Sequence, residues 1–168
     1  MRLNIGCGEK PIPGWTNIDV VSTGFEDLVG NIETGIALPD GCATEILLDN
    51  VIEHVVSIPR AMAEIHRLLE TGGSVTLITP HFTGLSSWRD PTHLHHLSYF
   101  SFDMFCSHYN GHYLGGKLFD ATHKKLSFGG GPMGLMGRAI FALSPLAYER
   151  KYCFIFRAST LTVTLTAL

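Results

Sequence analysis

A glycine-rich turn near the start of the chain most constrains what the sequence can fold into. Leu3 and Ile5 alternate with polar neighbours and lead directly into Gly6, Cys7 and Gly8, which predicts a short strand ending in a tight turn. A second short segment, residues 15–20, ends on an acid, Asp19. Glycines let a backbone approach a flat ligand, and an acid at the next strand end can bind a ribose diol. The pattern predicts a nucleotide-type cofactor at the carboxyl edge of a parallel sheet.

The spacing within this stretch distinguishes between nucleotide cofactors. A dinucleotide fingerprint has a third glycine that opens a helix, whose N-terminus then holds a pyrophosphate. Pro11 occupies that position here, and Asp19 follows Gly6 by thirteen residues rather than by the roughly twenty of a full strand–helix–strand unit. A cofactor without a diphosphate has no need of that helix terminus. S-adenosylmethionine therefore fits better than NAD, and a nicotinamide-dependent enzyme stays as the less favoured alternative.

Composition excludes several classes of protein. A chain of 168 residues with 45% hydrophobic content is expected to form one globular domain spanning residues 1–168. Its net charge is −3 and its basic residues are scattered, so nucleic acid is not an expected partner. The four cysteines have no metal-binding spacing and no signal peptide precedes the first strand. These features predict a cytoplasmic protein with reduced thiols.

The order of the predicted elements indicates an α/β fold. Residues 43–48 form a strand candidate, Ser57 can cap a helix over residues 58–70, and residues 74–79 read as a buried parallel strand. Residues 21–41 have weak periodicity, so a full third strand is doubtful there. Strand–helix–strand alternation with short connections predicts a doubly wound sheet.

The second half of the chain is predicted to begin with a long functional loop, residues 80–100. We then expect a short helix capped by Ser101 over residues 101–110, and strands over residues 117–128 and 152–165.

The apolar segment of residues 133–148 follows a run of three glycines and Pro132. It is expected to form a helix that covers the substrate pocket, a partner subunit or a membrane surface. A plain buried helix of the core is the alternative. The possible partners are therefore a peripheral membrane contact or a homodimer contact through residues 133–148.

Several segments together resemble the class I S-adenosylmethionine-dependent methyltransferases in their small form. The matching pieces are LNIGCG (3–8) with GWTNID (14–19), NI (31–32) leading to LP (38–39), DNVIEHV (49–55), and EIHRLL (64–69) with GG (72–73). A fifth piece, DPTH (90–93), recurs in relatives associated with glycan and cell-surface biosynthesis. The resemblance implies a Rossmann-like, doubly wound mixed sheet ending in an antiparallel hairpin, here trimmed near the first helix and third strand.

The same resemblance implies which residues bind the cofactor. They are Gly6, Cys7, Gly8, Asp19, Asn31, Ile32, Asp49, Asn50 and Val51. The family often has acids where Asn4 and Asn31 stand, and an amide oxygen can still accept a hydrogen bond in their place. These two departures motivate an alternative, a non-catalytic module that binds S-adenosylmethionine.

The implied activity is in-line methyl transfer to an oxygen or nitrogen of a small-molecule or glycan acceptor. Such an acceptor must lose a proton, and a neutral histidine can take it up. Seven of the nine histidines lie between His81 and His123. His93 and His96 are the candidate bases, Asp90 is expected to orient one of them, and Tyr99 to shape the pocket. His81, Asp90, His93, His95, His96 and Tyr99 could instead bind a divalent metal or serve packing. No pair in the loop has helical ligand spacing, so both stay as less favoured alternatives. Glu53 and His54 are interpreted as structural rather than catalytic.

Overall fold

The computed structural model describes residues 1–109 and 117–168. Its strands and helices, in chain order, are β1 (Arg2–Ile5), β2 (Thr16–Asp19), β3 (Leu28–Val29), β4 (Ala43–Asp49), α1 (Ile58–Leu68), β5 (Leu69–Pro80), α2 (Leu85–Arg89), β6 (Phe119–Phe128), α3 (Gly131–Leu143), α4 (Pro145–Ala147) and β7 (Ala158–Ala167). The seven strands form one sheet in the order β3-β2-β1-β4-β5-β7-β6.

The sheet is mixed, as the sequence predicts. Neighbours from β3 to β5 run parallel, whereas β7 is antiparallel to both β5 and β6. The fold is also trimmed where expected: β3 has only two residues, and the connection between β1 and β2 contains no helix. The Rossmann-like architecture with a C-terminal antiparallel hairpin is therefore confirmed.

The topology brings four strand ends to one edge of the sheet. Because β1, β2, β4 and β5 run parallel and adjacent, the residues after Ile5, Asp19, Asp49 and Pro80 lie side by side there. Ligands of open α/β sheets bind at this carboxyl edge, near the point where the strand order reverses. In this sheet that reversal falls between β1 and β4.

Helix α1 begins as expected, since the Ser57 side chain accepts a hydrogen bond from the Arg60 N–H. Near its C-terminus Arg67 donates to the carbonyls of Ile36 and Leu38 and pairs with Glu64 and Asp40. Arg67 thereby fastens the loop before β4 to the helix.

We expect Arg67→Ala to lower the free energy of unfolding by about 1–2 kcal/mol, because two carbonyls lose their donor while partial exposure of the guanidinium limits the loss. The hydrogen bond from Arg67 lowers the pKa of Glu64. That carboxylate stabilises the fold above its unfolded pKa, and the contribution is lost as pH falls through the lowered value. Urea unfolding at neutral pH measures the effect. Arg60→Ala, an exposed position on the same helix, is the control and should change little.

Two boundary predictions were wrong. Residues 101–109 contain only a short 3₁₀ turn, Asp103–Phe105, because the Ser101 hydroxyl accepts from the Ser98 N–H instead of capping a helix; the predicted helix end lies outside the described residues. The last strand starts at Ala158 rather than at residue 152, since Tyr148–Tyr152 forms a π-helical turn.

The predicted helix over residues 133–148 is interrupted. Ser144 is extended (φ −161°) and Pro145 follows it, so α3 ends at Leu143 and α4 restarts the helix. Within residues 1–109 and 117–168, none of the helices has the length and apolarity needed to cross a membrane.

Candidate active site

The glycine turn after β1 is shaped by close packing. Gly6 and Gly8 have positive φ angles of 73° and 50°. A Cβ at Gly6 would lie 2.2 Å from the Val51 Cγ2 atom. Glycine is therefore required at Gly6 by its backbone conformation and by Val51, and not only by the approach of a ligand.

Asp19 closes the turn from the side of β2. Its Oδ2 accepts the Gly8 N–H at 2.8 Å and its Oδ1 accepts the Val21 N–H at 3.1 Å. These bonds fix the carboxylate beside the turn. Asp19 lines a cavity of about 160 Å³, here called the Asp19 cavity. Its other walls include Gly6, Asn31, Ile32, Val51 and His54.

A second cavity, of about 510 Å³, lies on the other side of Gly6 and is here called the Lys10 cavity. Its lining includes Gly6, Cys7, Gly8, Lys10, Asp49 and Asn50. The nine predicted cofactor-binding residues are thus divided between two cavities that share Gly6.

Asn4, at a position where the family often has an acid, stabilises the wall of the Lys10 cavity through hydrogen bonds. Its buried side-chain amide donates to Asn17 Oδ1 at 2.9 Å, and that oxygen also accepts the Ile12 N–H at 2.7 Å. The substitution thus gives Asn4 a structural role in fixing residues 10–12.

A third cavity, of about 500 Å³, opens beside the other two and is here called the His93 cavity. Asn50, His54, Ser86, Arg89, Asp90 and His93 are among its lining residues. Asn50 also lines the Lys10 cavity, and His54 also lines the Asp19 cavity. The three cavities therefore meet around Gly6, Asn50 and His54.

Asn50 has an unusual backbone at this junction. It has a positive φ of 55°, a conformation that asparagine tolerates better than most residues. Its N–H donates to the Ile78 carbonyl and its side-chain amide donates to Asp49 Oδ1, each at 2.8 Å. The backbone of Asn50 is thereby fixed where the Lys10 and His93 cavities meet.

His93 has a defined orientation in its cavity. Its Nδ1 lies 3.1 Å from the Ser87 carbonyl, which can only accept, so the proton of the neutral ring is assigned to Nδ1. The Nε2 atom then carries the lone pair. It lies 3.9 Å from Glu53 Oε1 and 3.9 Å from Asp90 Oδ2.

Glu53 is the residue whose position the sequence interpretation missed. Its side chain is 1% exposed, and Oε2 accepts the Thr79 hydroxyl at 3.0 Å. Its Oε1 is buried without a hydrogen-bond partner among the described residues. Burial raises the pKa of this carboxyl. The only sequence signal was that Glu53 closely follows the end of β4.

We expect Glu53→Gln to raise the Tm at neutral pH by about 2–4 °C, because the variant no longer buries a charged carboxylate. A chelator is added so that no bound metal contributes. The shift is that produced by ~1 kcal/mol in a chain of this size. The raised pKa means that the folded state binds a proton more tightly than the unfolded state. Stability therefore falls as pH rises from the unfolded pKa through the folded one. The variant should lose this dependence. Thermal melts between pH 4 and neutral pH measure it, and a lower Tm for the variant at neutral pH would contradict it.

The other two candidates lie outside the lining of the His93 cavity. His96 stacks on Trp88 with ring centroids 3.6 Å apart, and its Nδ1 hydrogen-bonds the Ser87 hydroxyl. Tyr99 packs edge-on against Phe141, and Lys124 lies over its ring. The structure thus brings His93 and Asp90 to the cavity, whereas His96 supports the Ser87 segment behind it.

Comparison with known proteins gives one family match. Residues 8–77 match the family model described as a methyltransferase domain. Over this segment the chain is similar to the class I S-adenosylmethionine-dependent methyltransferases. This similarity implies S-adenosylmethionine as the cofactor. No curated protein sequence matches the chain.

Solved structures similar to this chain confirm its fold. An S-adenosylmethionine-dependent methyltransferase from Mesorhizobium loti aligns with a TM-score of 0.63 at 13% identity, covering 98% of this chain and 89% of that one. Methyltransferases from Methanosarcina mazei (TM-score 0.61, 14% identity, 99% and 92% coverage) and Archaeoglobus fulgidus (0.59, 17%, 98% and 85%) are also similar. At these identities the likeness concerns the fold alone.

Proposed function

We propose that this methyltransferase transfers a methyl group from S-adenosylmethionine to an oxygen or nitrogen of a small-molecule or glycan acceptor. The observation that carries the proposal is the junction of the three cavities around Gly6, Asn50 and His54. A cofactor lying across Gly6 would place adenosine in the Asp19 cavity and the amino acid part in the Lys10 cavity. Its sulfonium methyl would then face the His93 cavity.

The opposite charges of Asp19 in one cavity and Lys10 in the other support this orientation of the cofactor. Asp19 offers a carboxylate that is already held by two backbone N–H groups and can accept further hydrogen bonds from ribose hydroxyls. Lys10 lines the second cavity, where a cationic side chain suits the cofactor carboxylate. The opposite orientation would place that carboxylate beside Asp19, which is electrostatically unfavourable.

The reaction needs chiefly alignment. The acceptor lone pair attacks the methyl carbon while the carbon–sulfur bond breaks, and the bonding pair stays on sulfur, giving S-adenosylhomocysteine. A rigid site that holds both molecules in line lowers the entropic part of the barrier. Asp90 and His93 lie where the acceptor would bind and are the residues proposed to act on it. The lone pair on His93 Nε2 can take up a proton or bind a cation.

A glycan acceptor is proposed because DPTH (90–93) contributes directly to the His93 cavity. Asp90 Oδ1 accepts from both the N–H and the hydroxyl of Thr92, and those hydrogen bonds lower the pKa of Asp90. Together with Arg89 and Ser86 it gives the cavity wall several groups that can hydrogen-bond hydroxyls. Such a polar wall suits a hydroxylated molecule better than an apolar one.

A label-transfer experiment tests the proposal. Purified protein is incubated with methyl-labelled S-adenosylmethionine and extract fractions enriched in small molecules, glycans or lipids, beside an Asp19→Ala control. We expect label to enter one fraction with the parent protein only. Tight cofactor binding with no label in any fraction would favour the non-catalytic binding module. Tight NAD binding would instead revive the nicotinamide enzyme.

A further inference from the structure

We propose that Glu53, His54 and His93 bind a divalent transition-metal ion at the rim of the His93 cavity. One potential ligand atom from each of the three side chains lies within 4.8 Å of the others. The set of two imidazoles and one carboxylate is used by zinc in sites that keep a position open for water or substrate. The inference rests on the proposed function, since it assigns the bound ion a role toward the acceptor.

The two histidines are oriented as metal ligands are. His93 Nδ1 donates to the Ser87 carbonyl, and His54 Nδ1 lies 3.3 Å from the Thr92 carbonyl and 3.0 Å from its hydroxyl. The Thr92 hydroxyl donates to Asp90, so it accepts from His54. Both neutral rings therefore carry their lone pair on Nε2. In metal-binding histidines, the ring nitrogen that does not bind the metal usually donates its N–H to a group such as a backbone carbonyl.

The third ligand is an unpartnered buried carboxylate. Glu53 Oε1 is buried, has no hydrogen-bond partner among the described residues, and lies 3.9 Å from His93 Nε2. At that distance no direct hydrogen bond joins the two atoms, so two lone pairs face each other across a gap. Ligand atoms on a tetrahedral zinc ion lie roughly 3.4 Å apart, given bonds of about 2.0–2.2 Å. A small movement of the side chains would complete the site.

The ion would act on an acceptor hydroxyl. An oxygen bound at the open position becomes more acidic and loses its proton to solvent, and its lone pair then attacks the methyl carbon. His93 in this arrangement is a ligand rather than the base. The sequence did not predict the group because residues 53–54 and 93 lie about forty positions apart and meet only through the fold.

Metal titration of the full-length protein tests the inference without requiring turnover. Chelator-treated parent protein is titrated with Zn²⁺, and with Mg²⁺ for comparison, by calorimetry and thermal melting. We expect one Zn²⁺ site, a raised Tm, and little response to Mg²⁺. His93→Ala and Glu53→Gln should weaken this site at least ~10-fold, while His95→Ala should not, because its Nε2 donates to the Val55 carbonyl. Unchanged Zn²⁺ binding in both ligand variants, or none in the parent, would overturn the inference. S-adenosylhomocysteine binding is measured in the same samples. If it is retained while Zn²⁺ binding is absent, the metal inference fails and the proposed function does not.

An independent observation concerns α3, which turns its glycines inward and its large apolar residues outward. A Cβ at Gly134 or Gly137 would collide with Gly129 or with the Phe128 ring, so these glycines form the packed face. The exposed residues of α3 and the following segment include Met133, Leu135, Met136, Leu143, Leu146, Phe154 and Ile155. We infer that this apolar face lies on the surface of an anionic lipid bilayer.

The distribution of charged residues favours a membrane over other partners of this apolar face. Residues 1–120 contain six basic and fourteen acidic residues. Residues 121–168 contain six basic residues, Lys124, Lys125, Arg138, Arg150, Lys151 and Arg157, and one acid, Glu149. Glu149 faces inward to His81. Lys124 is paired with Asp103, whereas Arg138, Arg150, Lys151 and Arg157 are exposed. An apolar face with exposed basic residues on the same segment suits anionic lipid, while two copies meeting through it would bring like charges together.

The face also reaches the His93 cavity. Phe154 contacts Phe82 edge-on, and the Phe82 carbonyl accepts from the Trp88 indole N–H. Trp88 and Leu85 lie on α2 and are exposed, while Ser86 and Arg89 of the same helix line the cavity. An acceptor carried at a membrane surface would reach the cavity from this side.

Vesicle sedimentation tests the membrane inference. We expect the parent to bind phosphatidylcholine vesicles containing phosphatidylglycerol, and to bind phosphatidylcholine alone at least ~10-fold more weakly, since basic residues are attracted to an anionic surface. The double variants L135S/M136S and R150E/K151E should lose binding, whereas Val56→Ser, an exposed apolar position elsewhere, should not. No vesicle binding by the parent, or a stable dimer by light scattering that L135S/M136S dissociates, would overturn it.

Discussion

Replacing His93 by alanine is expected to lower turnover by roughly 10²–10⁴-fold while leaving cofactor affinity nearly unchanged. His93 lines the cavity assigned to the acceptor and neither of the two cavities assigned to the cofactor. Its Nε2 atom, which carries the lone pair, lies between Glu53 and Asp90. The variant removes that nitrogen whether it receives the proton or holds an ion. Initial rates and cofactor titrations on the same preparation measure the two effects.

His95→Ala and His96→Ala are the matched controls for His93→Ala. All three positions belong to one loop, but His95 donates to the Val55 carbonyl and His96 stacks on Trp88. We expect these two variants to change Tm more than turnover per folded molecule. Equal turnover in the parent and in His93→Ala would remove His93 from the mechanism and leave alignment as the whole of catalysis.

Replacing Asp19 by alanine is expected to weaken cofactor binding by about 1–3 kcal/mol, which is roughly a 5- to 150-fold rise in Kd. The variant removes the charged acceptor proposed for the ribose hydroxyls and also frees the Gly8 and Val21 N–H groups. Calorimetry with S-adenosylhomocysteine at constant salt measures the change.

Asp27→Ala separates loss of the ribose contact from loosening of the turn. Asp27 Oδ2 accepts from the Asn17 backbone and side-chain amides in the same region, but Asp27 does not line the Asp19 cavity. This control should lower Tm and leave Kd within a fewfold of the parent. If Asp27→Ala weakens binding as much as Asp19→Ala, Asp19 acts by supporting the turn alone. Gly6→Val is unsuitable for this purpose, since its Cβ would clash with Val51 even without a ligand.

The cofactor edge was predictable from sequence because its residues follow strand ends. Gly6, Asp19 and Asp49 each lie at or just after a short strand, and parallel neighbours bring such ends together. The strand over Ala43–Asp49 and the Ser57 cap are also local patterns. Period-two alternation determines the strand and adjacent residues determine the cap, so both can be predicted with little tertiary information.

The acceptor side was less predictable because tertiary contacts determine it. His93 and His96 stand three residues apart in one loop and look equivalent in sequence. The Ser87 carbonyl directs one of them to the cavity, while the Trp88 ring covers the other. The importance of Glu53 could not be predicted from sequence, because it depends on burial beside His93. The Tyr148–Tyr152 turn was not predicted because tertiary packing overrode the local strand propensity.

A crystal structure of the protein with S-adenosylhomocysteine tests the proposed position of the cofactor. We expect density across Gly6, with the ribose hydroxyls on Asp19, the amino acid part in the Lys10 cavity, and the sulfur facing Asn50 and the His93 cavity. Ordered ligand in any other place, or no ligand in crystals soaked far above the solution Kd, would contradict it.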